Sequence, residues 1–322
     1  MKNRNKSPKE PRISQPAHPQ RRIEPLPSDR PKPPEEDPDA PRRVADILAH
    51  PSYREADEDL DFLNRYETRG VRLQLDYFKP EWYLEQHNVT HTIVVFGSTR
   101  VAEPAAAKRK VEQLQAALAQ APGDPELLHR LAVAQRIQTK SHYYQVAREF
   151  GRLVGTGGCG PQDCRVVVMT GGGPGMMEAA NRGAFDVGAK SVGLNISLPF
   201  EQQPNPYIPE HLIFHFHYFS IRKMHFLKRA KALCCFPGGY GTMDELFECL
   251  TLIQTKKIPP MPVVLFGREF WEKAVNWQLF ADEGLICPDD TNLVHYCDTA
   301  EEAWEYIRNY WAAHPEHHGK KH

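Results

Sequence analysis

Two segments of this chain join a short apolar run to a glycine-rich turn and then to a helical pattern. In the first, RVVVM (residues 165–169) runs into Thr170-Gly171-Gly172-Gly173-Pro174-Gly175. In the second, ALCCF (residues 232–236) runs into Pro237-Gly238-Gly239-Tyr240-Gly241-Thr242. A short β-branched run bounded by a turn reads as a buried parallel strand. A helix that follows directly must return across the sheet. The pattern repeats down the chain, with HTIVVF (91–96), 191–196, 212–217, PVVLF (262–266) and 292–295 as further strands. Helical stretches are expected at 142–154, 176–187, 221–230, 242–256, 270–282 and 299–311. The predicted fold is α/β: a doubly wound, Rossmann-like parallel sheet over residues 91–312. Ligands of such sheets bind at the carboxyl ends of the strands, where both glycine turns lie.

The remaining segments extend this core. Residues 1–43 hold eleven of the 28 prolines and few large apolar residues. Such composition buries too little surface to offset its ordering entropy, so a disordered tail is expected. Residues 44–90 space Ile47, Leu60, Leu63, Leu73, Leu75, Phe78, Trp82 and Leu84 as two or three short helices would. Residues 103–140 read as an inserted helical hairpin, with Asp124 as N-cap and Pro125 at the first helical position after the turn. Residues 313–322 form a polar tail.

Composition excludes several functions. Lys and Arg total 40 against 41 Asp and Glu, so no basic field points to nucleic acid. No apolar run approaches the roughly 18–20 residues of a membrane span. No signal-peptide core opens the chain, and the expected compartment is the cytoplasm. Seven cysteines, an odd number, with Cys234, Cys235 and Cys249 in apolar company, read as reduced core thiols. Cys159 and Cys164 lack a second ligand pair for a metal site. His211, His215, His217 and His225 cluster in sequence without a completing Cys or carboxylate, and a polar strand face explains His215 and His217.

Glycines admit a ligand close to the backbone, and a helix N-terminus offers N–H groups and partial positive charge. Together they bind phosphate. A Walker loop is absent, and the dinucleotide fingerprint fails because Met176 takes the third glycine's place. Near the second turn, Glu245 follows Thr242 by three residues. That spacing fits a capping box with Thr242 at the N-cap, and equally a carboxylate held beside the phosphate loop. Arg222 and Lys223 open the preceding helix, where a cation is mildly unfavourable with the dipole; a guanidinium there can clamp a phosphate or ribose oxygen.

The segment from Pro237 to Glu245, PGGYGTMDE, matches PGGxGTxxE, the signature of the Lonely Guy family, long labelled "possible lysine decarboxylase". TGGGPGMMEAA (170–180) resembles the family's other glycine turn, VFGSTR (95–100) its first strand and loop, and Arg222-Lys223 its Arg-Lys pair fifteen residues before Pro237. The resemblance covers roughly residues 90–312 and is that of long bacterial members. It implies hydrolysis of a nucleoside 5′-monophosphate, purine or cytokinin, to free base and ribose 5-phosphate, without metal or organic cofactor. By carry-over the catalytic pair is Arg222 and Glu245. Gly172, Gly173, Gly175, Gly238, Gly239, Tyr240, Gly241 and Thr242 are the phosphate-binding residues. Ser98, Glu178, Asn181, Glu201, Lys223, Asp244 and Thr251 are assigned to the substrate. The resemblance also implies a homodimer or higher homo-oligomer. Where family members carry Met-His-Glu before the Arg-Lys pair, this chain has Phe219-Ser220-Ile221, which leaves base preference open. A non-catalytic nucleotide sensor on the same fold is the alternative. Lysine decarboxylation by pyridoxal phosphate is disfavoured, because no lysine sits in an evident cofactor pocket.

Overall fold

The computed structural model describes residues 32–157, 166–199 and 203–315. The chain divides into two compact units, 1–69 and 70–322. In the first, helix α1 (Ala40–Ala49) starts with Pro41 in its opening turn, and α2 (Leu60–Leu63) is capped by Asp59, whose carboxylate accepts the Phe62 N–H at 3.0 Å. Helix α1 begins inside the stretch expected to be disordered: Pro41 suits a first helical turn, and Val44, Ile47 and Leu48 follow at helical spacing.

The second unit opens with α3 (Arg69–Gln86) and the central strand β1 (His91–Phe96). A hairpin of α4 (Pro104–Gln120) and α5 (Pro125–Lys140) follows, closed by its own small cluster of Val111, Leu114 and Ala134. Asp124 accepts the N–H groups of Glu126 and Leu127, as the sequence predicts. Then come α6 (His142–Gly157), β2 (Val166–Thr170), α7 (Met176–Asp186), β3 (Ser191–Ile196), β4 (Ile213–Phe216) and α8 (Phe219–Lys228). The chain finishes with β5 (Ala230–Cys235), α9 (Tyr240–Gln254), β6 (Val263–Phe266), α10 (Arg268–Ala274), α11 (Trp277–Asp282), β7 (His295–Cys297) and α12 (Ala300–Ala313).

The seven strands are all parallel, in the order β4-β3-β2-β1-β5-β6-β7. Alternation along each strand feeds two cores. Ile93, Val95, Val168, Cys234 and Phe266 face α6, α7 and α12, where Phe150, Ala180, Trp304 and Ile307 are buried. Val94, Phe96, Met169, Leu233 and Leu265 face Phe226 of α8, Leu246 and Cys249 of α9, and Trp271 of α10. Both faces are covered, which is the doubly wound α/β arrangement. The chain order reverses between β1 and β5, and a crevice opens beyond their carboxyl ends.

Several sequence expectations change. The last strand, expected over 292–295, is His295–Cys297, and a 3-10 helix takes Pro288–Leu293. The helix expected over 270–282 is two helices, broken where Val275 is extended and Asn276 caps the second by accepting the Leu279 N–H. Helix α9 begins at Tyr240 rather than Thr242, with Gly239 at the N-cap and no side-chain capping bond. Thr242 therefore lies inside the helix, and the Thr242–Glu245 capping box does not form. A Thr-Glu capping box occurs instead at Thr299 and Glu302, opening α12.

Candidate active site

At the β1/β5 reversal a cleft of about 580 Å³ opens. Four strand ends build it. The loop after β1 supplies Gly97, Ser98, Thr99 and Arg100; the turn after β2 supplies Gly171; the end of β3 supplies Asn195 and Ile196. The turn after β5 and the start of α9 supply Gly239, Tyr240, Gly241, Thr242, Asp244 and Glu245, and α8 contributes Phe219 and Arg222.

The two glycine turns play different parts. The first is packed into the protein. Gly172 and Gly175 have φ of 71° and 74°, in the region that favours glycine. A Cβ on Gly175 would lie 2.3 Å from the Ser98 carbonyl oxygen, and one on Gly172 would lie 1.9 Å from Asn195 Oδ1. The Gly172 N–H is held by Thr170 Oγ1 at 2.9 Å, and the Met176 N–H donates to the Ser98 carbonyl. Asn205 joins the carbonyl of Gly173 to Asn181, whose Oδ1 also accepts the Thr170 hydroxyl at 2.7 Å. This turn braces the β1 loop, so that loop presents a fixed shape to the cleft.

The second turn faces open space. Among the described residues nothing lies within 4 Å of a Cβ placed on Gly239 or Gly241, and Tyr240 is 96% exposed. The Ser98 N–H donates to the Pro237 carbonyl, pinning the two loops together. The N-terminus of α9 thus points its dipole into the cleft with no capping side chain.

Glu245 stands one turn further along α9, only 6% exposed. Burial pushes its carboxyl up, to about 7; Glu248 and Asp244 push the same way, while Lys223 and Arg222 oppose the rise. Arg222 is itself largely buried, and burial lowers its pKa, opposed by the charge of Glu245. Its Nε–H donates to the Leu194 carbonyl at 2.8 Å, and its guanidinium lies 5.0 Å from the Phe226 ring centroid. Lys223 points aside: its ammonium sits 2.9 Å from Asp244 and 3.1 Å from Glu248. Those hydrogen bonds hold it charged against the opposing effect of burial. A buried carboxylate poised near neutrality, beside a desolvated guanidinium and an uncapped helix N-terminus, can move a proton next to a bound anion.

The structure brings Ser98, Gly239, Tyr240, Gly241, Thr242, Asp244, Arg222 and Glu245 to one cleft. Gly172, Gly173 and Gly175 stand behind it as bracing, and Gly238 is covered by Thr242. Glu178 and Asn181 lie on α7 away from the cleft wall, Glu178 accepting the Tyr144 hydroxyl at 2.6 Å. Thr251 is exposed on α9, its hydroxyl bonded to the Phe247 carbonyl. Glu201, Cys159 and Cys164 lie outside the described residues. Thr99, Arg100 and Asn195 line the cleft without having been assigned a role, and so does Phe219, the first of the three residues that depart from the family's Met-His-Glu. Asn195 is a polar residue ending a buried parallel strand, and that is the signal by which it could have been found. Its Oδ1 is buried and has no hydrogen-bond partner among the described residues.

Cys234, Cys235, Cys249 and Cys297 are buried free thiols. His215 is exposed on β4, its ring nitrogen 3.2 Å from Ser197 Oγ, and His217 is exposed just past the strand's end at Phe216. Among the described residues no group of three His, Cys, Asp or Glu is placed to hold a metal, and no helix is long and apolar enough to cross a membrane.

Residues 177–307 match the family model described as "Possible lysine decarboxylase". Cytokinin riboside 5′-monophosphate phosphoribohydrolase LOG1 of Arabidopsis thaliana is 32% identical over 108 residues, covering 31% of this chain and 47% of that protein. LOG3 of the same plant is 32% identical over 101 residues, covering 29% and 44%. The chain therefore spans about half the length of the curated relatives it matches. Among solved structures it is similar to the Moco carrier protein from Chlamydomonas reinhardtii, at 19% identity and TM-score 0.41, covering 70% of this chain and 99% of that one. The matched residues 177–307 take in the PGGxGTxxE segment that opens α9 at the cleft.

Proposed function

We propose that this protein hydrolyses the N-glycosidic bond of a nucleoside 5′-monophosphate, releasing the free base and ribose 5-phosphate. The observation that carries the reading is Glu245, a buried carboxyl raised to about 7 at the wall of a cleft that also receives the N-terminus of α9. The names of the Arabidopsis relatives, which are phosphoribohydrolases of a riboside 5′-monophosphate, support the same class of substrate.

The 5′-phosphate accepts N–H groups from the turn of Gly239 and Gly241, where the backbone is open, and gains from the α9 dipole. Anchoring there supplies remote binding energy that orients the sugar. Arg222 reaches ribose or phosphate oxygens with the guanidinium edge not committed to Leu194. Bond breaking builds positive charge on the ribose, and the Glu245 carboxylate stabilises it. Glu245 then takes the proton of an attacking water. The water oxygen bonds to C1′, the C1′–N bond breaks, and its electron pair leaves on the base nitrogen, which takes up the proton that Glu245 accepted from the water. The reaction uses Glu245 ionised, so kcat/KM is expected to rise as pH passes about 7 and then level off.

The test is incubation of the protein with a panel of nucleoside monophosphates, scoring free base and ribose 5-phosphate. Wild type releases base, and Glu245→Gln binds nucleotide while turning over about 10²- to 10⁴-fold more slowly. Tight binding without base release from any substrate would replace the enzyme with a nucleotide sensor.

A further inference from the structure

Helix α8 carries Arg222 and Lys223 close to its N-terminus, where two cations are adverse to the helix dipole. It has only ten residues, and its N-cap, Tyr218, gives no side-chain capping bond. Something else must hold it, and α3 does so at both ends.

At the N-terminal end, the Asp76 carboxylate accepts the His217 N–H at 2.9 Å and the Tyr218 N–H at 2.8 Å. A carboxylate there supplies the anion that the helix start lacks in its own sequence. Arg72 Nε adds a bond to the Tyr218 hydroxyl at 3.3 Å. At the C-terminal end, Glu81 is 8% exposed and gathers three cation-forming side chains. Lys228 Nζ lies 2.6 Å from Oε2, His225 Nδ1 lies 3.2 Å from Oε1, and Arg229 spans both oxygens. Between the two anchors, the Tyr77 ring lies 5.3 Å from the His225 ring and 4.7 Å from the Lys228 ammonium.

Arg222 sits between these anchors. Its backbone N–H makes the first bond of α8, to the Tyr218 carbonyl, so the residue whose N–H Asp76 holds also sets where Arg222 begins. The guanidinium is then fixed by one hydrogen bond to Leu194 and by the Phe226 ring beneath it, and Phe226 is on α8 too. A shift of α8 along α3 would carry Arg222 and its ring support away from the Leu194 carbonyl together.

We propose that Asp76 and Glu81 are positioning residues: through them α3 acts as a splint that sets α8, and hence Arg222, at the cleft. The inference rests on the reading of Arg222 as a substrate-facing group. It also places two required side chains outside residues 177–307, so the family segment is not sufficient for the site in this chain.

The experiment uses the full chain with Asp76→Ala, Asp76→Asn and Glu81→Gln, and follows three readouts: kcat and KM for AMP hydrolysis, the thermal melt, and solvent exchange of the ¹⁵N-labelled Arg222 Nε–H. Asp76→Ala and Glu81→Gln should lower kcat by about 10- to 100-fold, the cost of a catalytic group displaced by around an ångström. KM should change less than kcat, because the main hold on the phosphate is the turn of Gly239 and Gly241, which α3 does not set. The Arg222 Nε–H should lose protection while sheet amides keep theirs. Asp76→Asn, which retains one acceptor oxygen, should recover most of the rate. The proposal is overturned if Asp76→Ala, still folded, keeps wild-type kcat and a protected Arg222 Nε–H, or if all losses simply track the fraction unfolded. Failure of the wild type to hydrolyse any nucleotide would sink the catalytic reading alone; the Arg222 Nε–H signal would still decide the splint.

Discussion

Glu245 is held in a place that disfavours its charge, and this has a thermodynamic signature. Its carboxyl titrates near 7 in the folded protein against an ordinary 4.5. Between those values the folded state binds more protons than the unfolded one, so stability falls as pH rises through the window. The full cost, on the order of 3 kcal/mol, is present above about pH 7 and absent below about pH 4.5. Glu245→Gln is therefore expected to melt several degrees higher than wild type at pH 8 and at nearly the same temperature at pH 4.5. A capping role would leave the two proteins melting together at pH 8, since Gln serves at N3 of a capping box as Glu does. Equal or lower melting of Glu245→Gln at pH 8 would refute the burial argument. The sequence left this point open because Thr-x-x-Glu is a capping signature wherever it precedes an apolar run. The deciding fact is the placement of the helix start at Tyr240, two residues earlier, where Gly239 takes the N-cap and leaves Glu245 free to face the cleft. Asn195 stayed unread, and Phe219 was read only as a departure from the family pattern, for a related reason. Each comes to the cleft from a different strand or helix end, and only the assembled sheet brings them together.

At the level of elements, the strand–turn–helix repeats were legible because a buried parallel strand is short, apolar and β-branched, and glycine or proline closes it. Strand β3 falls on the residues expected, and the Asp124-Pro125 start of α5 is realised in full. The break in the helix at Val275 and Asn276 was not legible, because the apolar spacing continues through it and only the Asn276 cap marks the restart. Two glycines within helices escaped notice as well. Gly151 on α6 and Gly183 on α7 let these helices touch backbone to backbone: a Cβ on Gly183 would lie 1.9 Å from the Arg148 carbonyl oxygen, and one on Gly151 would lie 2.2 Å from that of Ala180. Helix propensity favours alanine at both, so packing overrides propensity. Gly183→Ala is expected to cost at least about 2 kcal/mol by denaturant melt. Gly70→Ala, on α3 with nothing within 4 Å of its Cβ, should be neutral or stabilising by up to about 1 kcal/mol. Similar behaviour of the two variants would show that α6 and α7 are not locked.

For the whole molecule, the order β4-β3-β2-β1-β5-β6-β7 has a consequence in time as well as in space. The central strand is the first one made, and its two neighbours arrive far apart. Strand β2 is complete by Thr170, whereas β5 ends only at Cys235. Throughout the synthesis of the residues between, one edge of HTIVVF has no partner, and this apolar, charge-free segment is the kind that recruits other chains. Ribosomes add about 5–20 residues per second, so the exposure lasts seconds. A chain ended at Arg229, which contains β1 to β4 but not β5, should aggregate on expression, whereas the full chain should not. Fractionating the two and measuring the share in the pellet decides the point. A truncated chain that stays dispersed would mean the growing polypeptide shields β1 by other contacts. The cleft at the β1/β5 junction thus lies on the edge of β1 that is paired last, and the nascent chain bears its greatest hazard on the strand around which that cleft is later built.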